Sequence, residues 1–282
     1  MSDPIHQKNS FYIGWQEQAP PDFARASRRF IALVLAVSIL TAVLLVFGQR
    51  GFADSVFELG RITAHEGILV KAPAPMLKIQ DGKDANGKPL FKSILLIGFG
   101  KKGAEATLAA IEADQGQALE GRAVQLKGTL IYYDGKTALE LTEGKDAFGG
   151  FLERPAAYAP EYVALGDVRL RGEILDPKCA LGVMKPGYGK PHRSCAVRCI
   201  SGGIPPVLRI ANKAGETNYC IVFGENGQPA NSQLLEYLAD QVQLCGRLER
   251  QDDWLVLYTN PETDIYRLKP YWMEGDVPLC GE

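Results

Sequence analysis

The sequence predicts a mainly β protein with short helices, in which one N-terminal transmembrane helix is followed by two tandem OB-like β-barrel units. Three observations predict this fold class: an uncharged apolar run near the N-terminus, an internal repeat in the rest of the chain, and tight-turn signals between alternating strands. Each repeat has the order of three strands, a short helix and two strands, which is the order of an OB-fold barrel. An unrelated two-barrel or sandwich arrangement is the structural alternative.

The apolar run at residues 30–48 contains no charged side chain. Its length is close to the ~20 residues that a helix needs to cross a bilayer core. Arg25, Arg28 and Arg29 lie just before it, and only Arg50 lies close after it. This asymmetry of positive charge places the N-terminal side in the cytoplasm. We therefore expect a single-pass anchor in a bacterial inner membrane, with the C-terminal domains in the periplasm. A cleaved signal peptide is the alternative, although signal h-regions are only about 7–15 residues long.

The chain is expected to divide into seven segments. They are a cytoplasmic arm (1–29), the transmembrane helix (30–48), a linker (49–58), a first OB-like unit (59–150), a second linker (151–164), a second OB-like unit with a cysteine-containing insertion (165–270) and a tail (271–282). Phe11, Tyr12 and Trp15 give the arm an aromatic character. Such rings favour the headgroup zone of a membrane, and docking to another membrane subunit is the other interpretation.

The internal repeat is clearest where a strand leads into a hairpin. The sequence VQLKG at 124–128 returns as VQLCG at 242–246, and at the same spacing Asp134 corresponds to Asp252. Asp134 is followed by Gly135 between alternating strands, which is a strong hairpin signal. Segments that match in the same order along a chain indicate two copies of one supersecondary unit.

The first half of each copy also matches. The apolar runs SILLIGF at 93–99 and NYCIVFG at 218–224 each precede a helical segment, at 104–113 and 232–239 respectively. The stretch at 153–162 is rich in Pro and Ala and has no periodicity, so we interpret it as the linker between the units.

A GxGxxG pattern at residues 98–103 lies between an apolar strand and a helix. This is the spacing of a dinucleotide-binding fingerprint. The equivalent place in the second unit lacks it, and the next strand returns through a hairpin rather than a second βα crossover. We therefore predict a plain strand-to-helix turn and no nicotinamide cofactor.

The charge balance bears on the class of partner. The formal net charge is -2, whereas a nucleic-acid-binding surface needs a basic patch that displaces counterions. We therefore expect no nucleic-acid partner. The expected partners are the membrane and other subunits of a membrane-bound complex.

The second unit gains an insertion between Cys179 and Pro206, which carries His192, Cys195 and Cys199. Cys179, His192, Cys195 and Cys199 would form a Cys3His set of the kind that binds zinc, and zinc or another transition metal is the one cofactor that the sequence suggests. An oxidising compartment favours a disulfide-stapled loop instead, and free thiols are a third option. The disulfide candidates are Cys179, Cys195, Cys199, Cys220, Cys245 and Cys280.

The same insertion carries a resemblance to a known group of proteins. The signature G-x-[IV]-x-D-x-x-C followed by H-x-x-C-x-x-x-C runs from Gly172 through Asp176 and Cys179 to Cys199. It resembles small exported bacterial OB-fold-like domains and covers about residues 170–260, the second unit only. The resemblance implies an exported OB-like domain and does not imply an activity. Asp176 is interpreted as a turn residue rather than a general base.

The function favoured by these patterns is that of a non-catalytic subunit or accessory of a membrane-bound complex, with a redox or respiratory complex as one option. No catalytic residue is predicted, so an enzymatic role is left open but not favoured. One alternative is a metal- or redox-active protein that uses the cysteine cluster. Another is an exported ligand-binding module, for which exposed aromatic residues on one barrel face would be needed. Trp254, Tyr258 and Tyr266 are the candidates, although packing in the core or in a hairpin is the favoured interpretation of all three.

Overall fold

The structure is a computed structural model that describes residues 21–49, 54–153 and 158–269. The aromatic residues of the N-terminal arm, the C-terminal tail and Cys280 lie outside the described residues. The N-terminal helix and the β-rich remainder form two separate compact units.

The N-terminal unit contains a single described helix, α1, at Pro21–Gln49. It begins earlier than the apolar run because Pro is well suited to the first turn of a helix, where its missing N–H has no partner to lose. Its stretch Phe23–Gly48 is long and apolar enough to cross a membrane by length and composition, and its side chains are exposed.

The first barrel is built from seven strands and one helix. They are β1 at Val56–Phe57, β2 at Thr63–Val70, β3 at Met76–Lys83, β4 at Pro89–Ile97, α2 at Glu105–Gln115, β5 at Ala123–Tyr133, β6 at Lys136–Leu141 and β7 at Phe148–Phe151. Five of these strands close in the order β2-β3-β4-β6-β5-β2, and β4 and β6 are the parallel pair. The short strands β1 and β7 both add to β5.

The second barrel repeats this arrangement. Its elements are β8 at Tyr162–Leu175, α3 at Arg193–Ser201, β9 at Val207–Ala211, β10 at Thr217–Gly224, α4 at Asn231–Leu234, β11 at Gln241–Gln251, β12 at Trp254–Thr259 and β13 at Ile265–Arg267. The barrel closes as β8-β9-β10-β12-β11-β8 with β10 parallel to β12, and β13 adds to β11. Strand β8 begins at Tyr162, inside the segment that the sequence suggested as a linker, because Tyr162 already pairs with Gln251.

The predicted fold class is therefore confirmed: two closed five-stranded barrels with OB connectivity follow one apolar helix. In each barrel a helix lies between the third and fourth barrel strands, α2 in the first and α4 in the second. Asp134 and Asp252 occupy the same position in the last hairpin of their barrels, and both have a left-handed backbone, with φ of 51° and 52°.

The two barrels share a hydrophobic core of their own. Along β4, Ile94 and Leu96 pack inside the first barrel, whereas Leu95 and Ile97 point outward into a cluster shared with the second barrel. Strand β10 alternates in the same way between the interior of its own barrel and the shared cluster, to which Ile221 belongs. The outer faces of equivalent strands are thus packed against each other.

Polar contacts between the barrels are reciprocal. The Asp252 turn of the second barrel reaches Lys78 of β3, and the Asp134 turn of the first barrel accepts a hydrogen bond from Thr217 of β10. Trp254 Nε1 also donates to the backbone oxygen of Ser93, at 3.2 Å. Each barrel therefore anchors its last hairpin on the other barrel.

This packing buries the aromatic candidates for a ligand-binding face fully or partly, as the favoured interpretation of core or hairpin packing predicted. Trp254 is 1% exposed and belongs to the shared core. Tyr258 is partly buried against the same core, and Tyr266 is partly buried on β13. OB folds commonly bind ligands on the face of the second and third strands, and in both barrels residues of these strands are used for contact between the barrels.

Candidate metal centre

The first part of the site is the turn that follows β8. Asp176 Oδ1 accepts a hydrogen bond from the backbone N–H of Lys178, at 3.0 Å, and the backbone oxygen of Asp176 accepts one from Ala180. These bonds close the turn and fix the place of Cys179, which begins a short π-helical segment at Cys179–Val183. Asp176 and Cys179 are consequently held on one side of a single turn.

The second part of the site is helix α3. Cys195 and Cys199 are one turn apart and share a face, as residues at i and i+4 do. His192 comes directly before the helix and closes a turn with Gly189, whose φ of 75° suits glycine. The sequence of the insertion thus brings a turn and a helix together around one point.

The four side chains of Asp176, Cys179, Cys195 and Cys199 converge. Their potential ligand atoms all lie within 4.8 Å of one another. The sulfurs of Cys179 and Cys195 are 3.7 Å apart. A disulfide bond is only about 2.05 Å long, whereas two sulfurs bound to one tetrahedral zinc ion at ~2.3 Å lie about 3.8 Å apart. The observed separation fits the second geometry.

His192 is the nearest neighbour of this group. Its side chain is fully buried, and its Nε2 lies 3.8 Å from Oδ2 of Asp176, which is also fully buried. Within the part of the chain that the structure describes, Asp176 Oδ2 and both ring nitrogens of His192 have no hydrogen-bond partner. Because a buried polar atom without a partner costs about 1–3 kcal/mol, these atoms indicate a site that an added ligand would complete.

Burial and neighbouring groups set the protonation of these side chains. A hydrogen bond with Cys199, burial and the nearby Asp176 carboxylate together raise the pKa of the Cys179 thiol well above its usual range. Burial lowers the pKa of His192, against the opposing effect of the Asp176 carboxylate. A bound divalent cation reverses this logic for a thiol, because coordination favours the thiolate.

The structure brings together three of the four residues that the sequence suggested as metal ligands, namely Cys179, Cys195 and Cys199. His192 lies next to them, in contact with Asp176 rather than within the group of four. Asp176 was interpreted as a turn residue only. Its backbone and Oδ1 do form the turn, but Oδ2 faces His192. The D-x-x-C spacing, which places both side chains on one turn, was the signal for this second role.

The structure differs from the expected disulfide-stapled loop. Cys179, Cys195, Cys199 and Cys220 are free thiols. Cys220 is buried on β10, where burial raises its pKa to about 12, and it forms no bridge to Cys245. Cys195 and Cys199 of α3 both lie close to Cys179, and the sulfurs of Cys179 and Cys195 are separated by 3.7 Å, far more than the length of a disulfide bond.

The GxGxxG loop at 98–103 packs against this site. The backbone oxygen of Gly100 accepts a hydrogen bond from Lys178 Nζ, and the N–H of Gly103 donates to the backbone oxygen of Gly202, at 2.9 Å. Lys101 Nζ lies 3.2 Å from Cys195 Sγ. A Cβ atom on Gly202 would lie 1.8 Å from the backbone oxygen of Lys101. The small residues of these two segments therefore allow a close approach between the barrels.

No protein-family model matches the chain, and no curated protein does. A solved structure that matches is that of a deletion mutant of the single-stranded DNA-binding protein from Thermus aquaticus, at 16% identity, with 79% of this chain and 92% of that chain covered and a TM-score of 0.22.

The expectation that the chain has no nucleic-acid partner is corrected on one point, because it was based on the net charge of the whole chain alone. The matched protein is, by its name, a binder of single-stranded DNA. A net charge near zero is not sufficient to exclude a nucleic-acid partner, because a local patch rather than the whole chain makes the contact. A likeness at this TM-score supplies no argument for such a partner either.

Proposed function

We propose that the second barrel binds a transition-metal ion, zinc in particular, through Asp176, Cys179, Cys195 and Cys199. The observation that carries the proposal is the convergence of these four ligand atoms within 4.8 Å. Thiolate-rich tetrahedral sets suit zinc, and a set with four protein ligands is typical of a structural rather than a catalytic zinc ion.

The buried atoms without partners support this proposal independently of the sulfurs. Asp176 Oδ2 lies in the interior next to the imidazole of His192, and no group among the described residues donates a hydrogen bond to it. A bound cation would neutralise this carboxylate and the thiolates. His192 would then act from outside the ligand set, orienting the Asp176 carboxylate as such outer groups commonly do.

The test is the metal content of the full-length protein purified in detergent. We expect about one zinc ion per chain in the unmodified protein and nearly none in Cys199→Ala. Cys220→Ala is the matched control, because Cys220 is also a buried free thiol of the second barrel but lies outside the ligand group. An unmodified protein without metal, whose cysteines 179, 195 and 199 have formed disulfides, would favour the stapled loop instead.

A second candidate function concerns the whole chain. We propose that α1 anchors the protein in a bacterial inner membrane with its N-terminus in the cytoplasm, and that the barrels serve as a non-catalytic accessory of a membrane-bound complex. The apolar stretch Phe23–Gly48 and the arginines before residue 30 support the anchor and its orientation. The alternative hypothesis, an exported ligand-binding module, is weakened because Trp254, one of its candidate ligand-contacting residues, is buried between the barrels.

This second proposal is tested in cells and in detergent extracts. Externally added protease should digest the barrels in spheroplasts, and chemical crosslinking followed by mild extraction should recover the protein with other membrane subunits. Protection of the barrels would contradict the orientation. A free monomer under every mild extraction condition would contradict the accessory role.

A further inference from the structure

The four proposed ligands differ in their access to solvent. Asp176, Cys179 and Cys199 are at most 2% exposed, whereas Cys195 is only partly buried. An ion that enters or leaves such a site has to exchange ligands with water or with a chelator. The solvent-facing side of the site, at Cys195, is therefore where this exchange starts.

Lys101 of the first barrel stands at this exposed side. Its ammonium donates a hydrogen bond to Cys195 Sγ at 3.2 Å, although the two residues are 94 positions apart in the chain. An ammonium at this distance offsets the negative charge of a metal-bound thiolate. Three thiolates and a carboxylate around a divalent ion leave net negative charge, so a cation next to the exposed sulfur stabilises the loaded state.

The position of Lys101 is set by contacts on both sides of it. The backbone oxygen of Gly100 accepts a hydrogen bond from the side chain of Lys178, the neighbour of Cys179. The N–H of Gly103 donates a hydrogen bond to the backbone oxygen of Gly202, just beyond helix α3. Lys178 is in turn held by an ion pair with Glu140 of β6, and both side chains are nearly buried. The loop at 98–103 is thereby fastened to both halves of the proposed site, which keeps the Lys101 side chain near Cys195.

We infer that the first barrel closes the metal centre of the second, with Lys101 as the positioning residue that covers Cys195 and slows release of the ion. This inference rests on the metal site of the proposed function. It also gives the GxGxxG loop a role, since its glycines allow the close backbone contacts that bring Lys101 to the site. Outer groups that contact metal ligands typically change metal affinity by about 10–100-fold.

The experiment measures the rate at which an excess of a coloured chelator removes zinc from the full-length, zinc-loaded protein in detergent. We expect Lys101→Met to release zinc about tenfold faster than the unmodified protein, in line with the effect of other outer groups. Lys101→Arg should restore slow release, because arginine keeps the charge and the donor. Lys102→Met is the matched control, because Lys102 is an exposed lysine of the same loop.

The outcomes separate the two proposals. Equal release rates for Lys101→Met and the unmodified protein would overturn the inference and leave the metal site in place. Equal acceleration by Lys101→Met and Lys102→Met would also overturn it, because general surface charge would then explain the effect. An unmodified protein that takes up no zinc would overturn the metal site itself. Circular dichroism of each variant excludes unfolding as the cause of fast release.

Discussion

Lys78 of the first barrel and Asp252 of the second form an ion pair, with Nζ and Oδ2 2.6 Å apart and the side chains only 4% and 9% exposed. Both side chains also form hydrogen bonds with other groups. Lys78 Nζ also donates to Ser93 Oγ at 2.7 Å, and Asp252 accepts hydrogen bonds from Tyr158 OH and the N–H of Glu161. A buried pair with this many additional bonds holds one relative placement of the two barrels.

Removal of the Lys78 ammonium is the first prediction. Lys78→Met leaves the Asp252 carboxylate buried without its cation, and breaking a buried pair in this way costs about 3–5 kcal/mol. We expect a loss of this size in the free energy of unfolding, measured by urea denaturation. Lys83→Met, at the exposed end of the same strand, should change stability by less than about 0.5 kcal/mol.

The double variant Lys78→Met with Asp252→Asn serves as the internal control. It removes both charges, so it should be more stable than Lys78→Met alone, because the uncompensated carboxylate is gone. If Lys78→Met unfolds at the same urea concentration as the unmodified protein, the buried ion pair does not stabilise the barrel contact.

The same contact gives a prediction for pH. Burial alone would raise the pKa of the Asp252 carboxyl, but hydrogen bonds from the N–H of Glu161, from Lys78 and from Tyr158 outweigh it, and the net pKa is lowered. A folded-state pKa below the unfolded value of about 3.9 means that the ionised form is preferred in the folded protein. Its stabilising contribution is present above the unfolded pKa and is lost as pH falls through the folded pKa.

We therefore expect the stability difference between the unmodified protein and Asp252→Asn to be constant from about pH 8 to pH 5 and to shrink below about pH 4. Urea denaturation at several pH values measures it. A difference that grew on acidification would mean that the pKa of Asp252 is raised in the folded state, contrary to the role of its three donors.

The internal repeat was sufficient to predict the two barrels, because Asp134 and Asp252 occupy equivalent turns that the local sequence already marks. The packing of one barrel on the other was not predicted, although the sequence contains its signal. A strand with one buried face alternates apolar and polar residues, whereas SILLIGF at 93–99 and NYCIVFG at 218–224 are continuous apolar runs. Such runs indicate burial on both faces, here inside the barrel and between the barrels.

The candidate site was predictable to a similar extent. The spacing of Cys195 and Cys199 placed both on one helical face, and Cys179 was an expected partner. The contact of Lys101 with Cys195 joins segments 94 residues apart, and no local pattern predicts such a contact. Asp176 was ambiguous because an aspartate that forms a turn and one that faces a buried site have the same local sequence.

The close approach at Gly202 gives a further prediction. The backbone of Gly202 has φ of -79°, which any residue can adopt. Glycine is therefore required at this position because a side chain would not fit, not because of the backbone conformation. In Gly202→Ala the added Cβ would lie 1.8 Å from the Lys101 oxygen, and the two segments would have to separate. We expect a loss of about 1–3 kcal/mol in the free energy of unfolding, as for other overpacked sites.

Ser201→Ala is the control for this variant, since Ser201 is the exposed neighbouring residue and its hydroxyl donates to the backbone oxygen of Arg198 within the same helix. It should change stability by less than about 0.5 kcal/mol. Normal stability of Gly202→Ala would show that the GxGxxG loop does not approach helix α3 as closely as the structure has it.

The last prediction concerns the indole of Trp254. Its Nε1 donates to the backbone oxygen of Ser93 across the barrel contact, and the ring lies 4.8 Å from the Lys136 ammonium. Trp254→Phe keeps an aromatic ring for the shared core but leaves the buried Ser93 oxygen without this donor, at a cost of about 1–3 kcal/mol. Thermal unfolding should therefore begin at a lower temperature, whereas Tyr266→Phe, on partly buried β13, should have little effect. An unchanged unfolding temperature in Trp254→Phe would mean that water satisfies this oxygen, and hence that the contact between the barrels is open to solvent at Ser93.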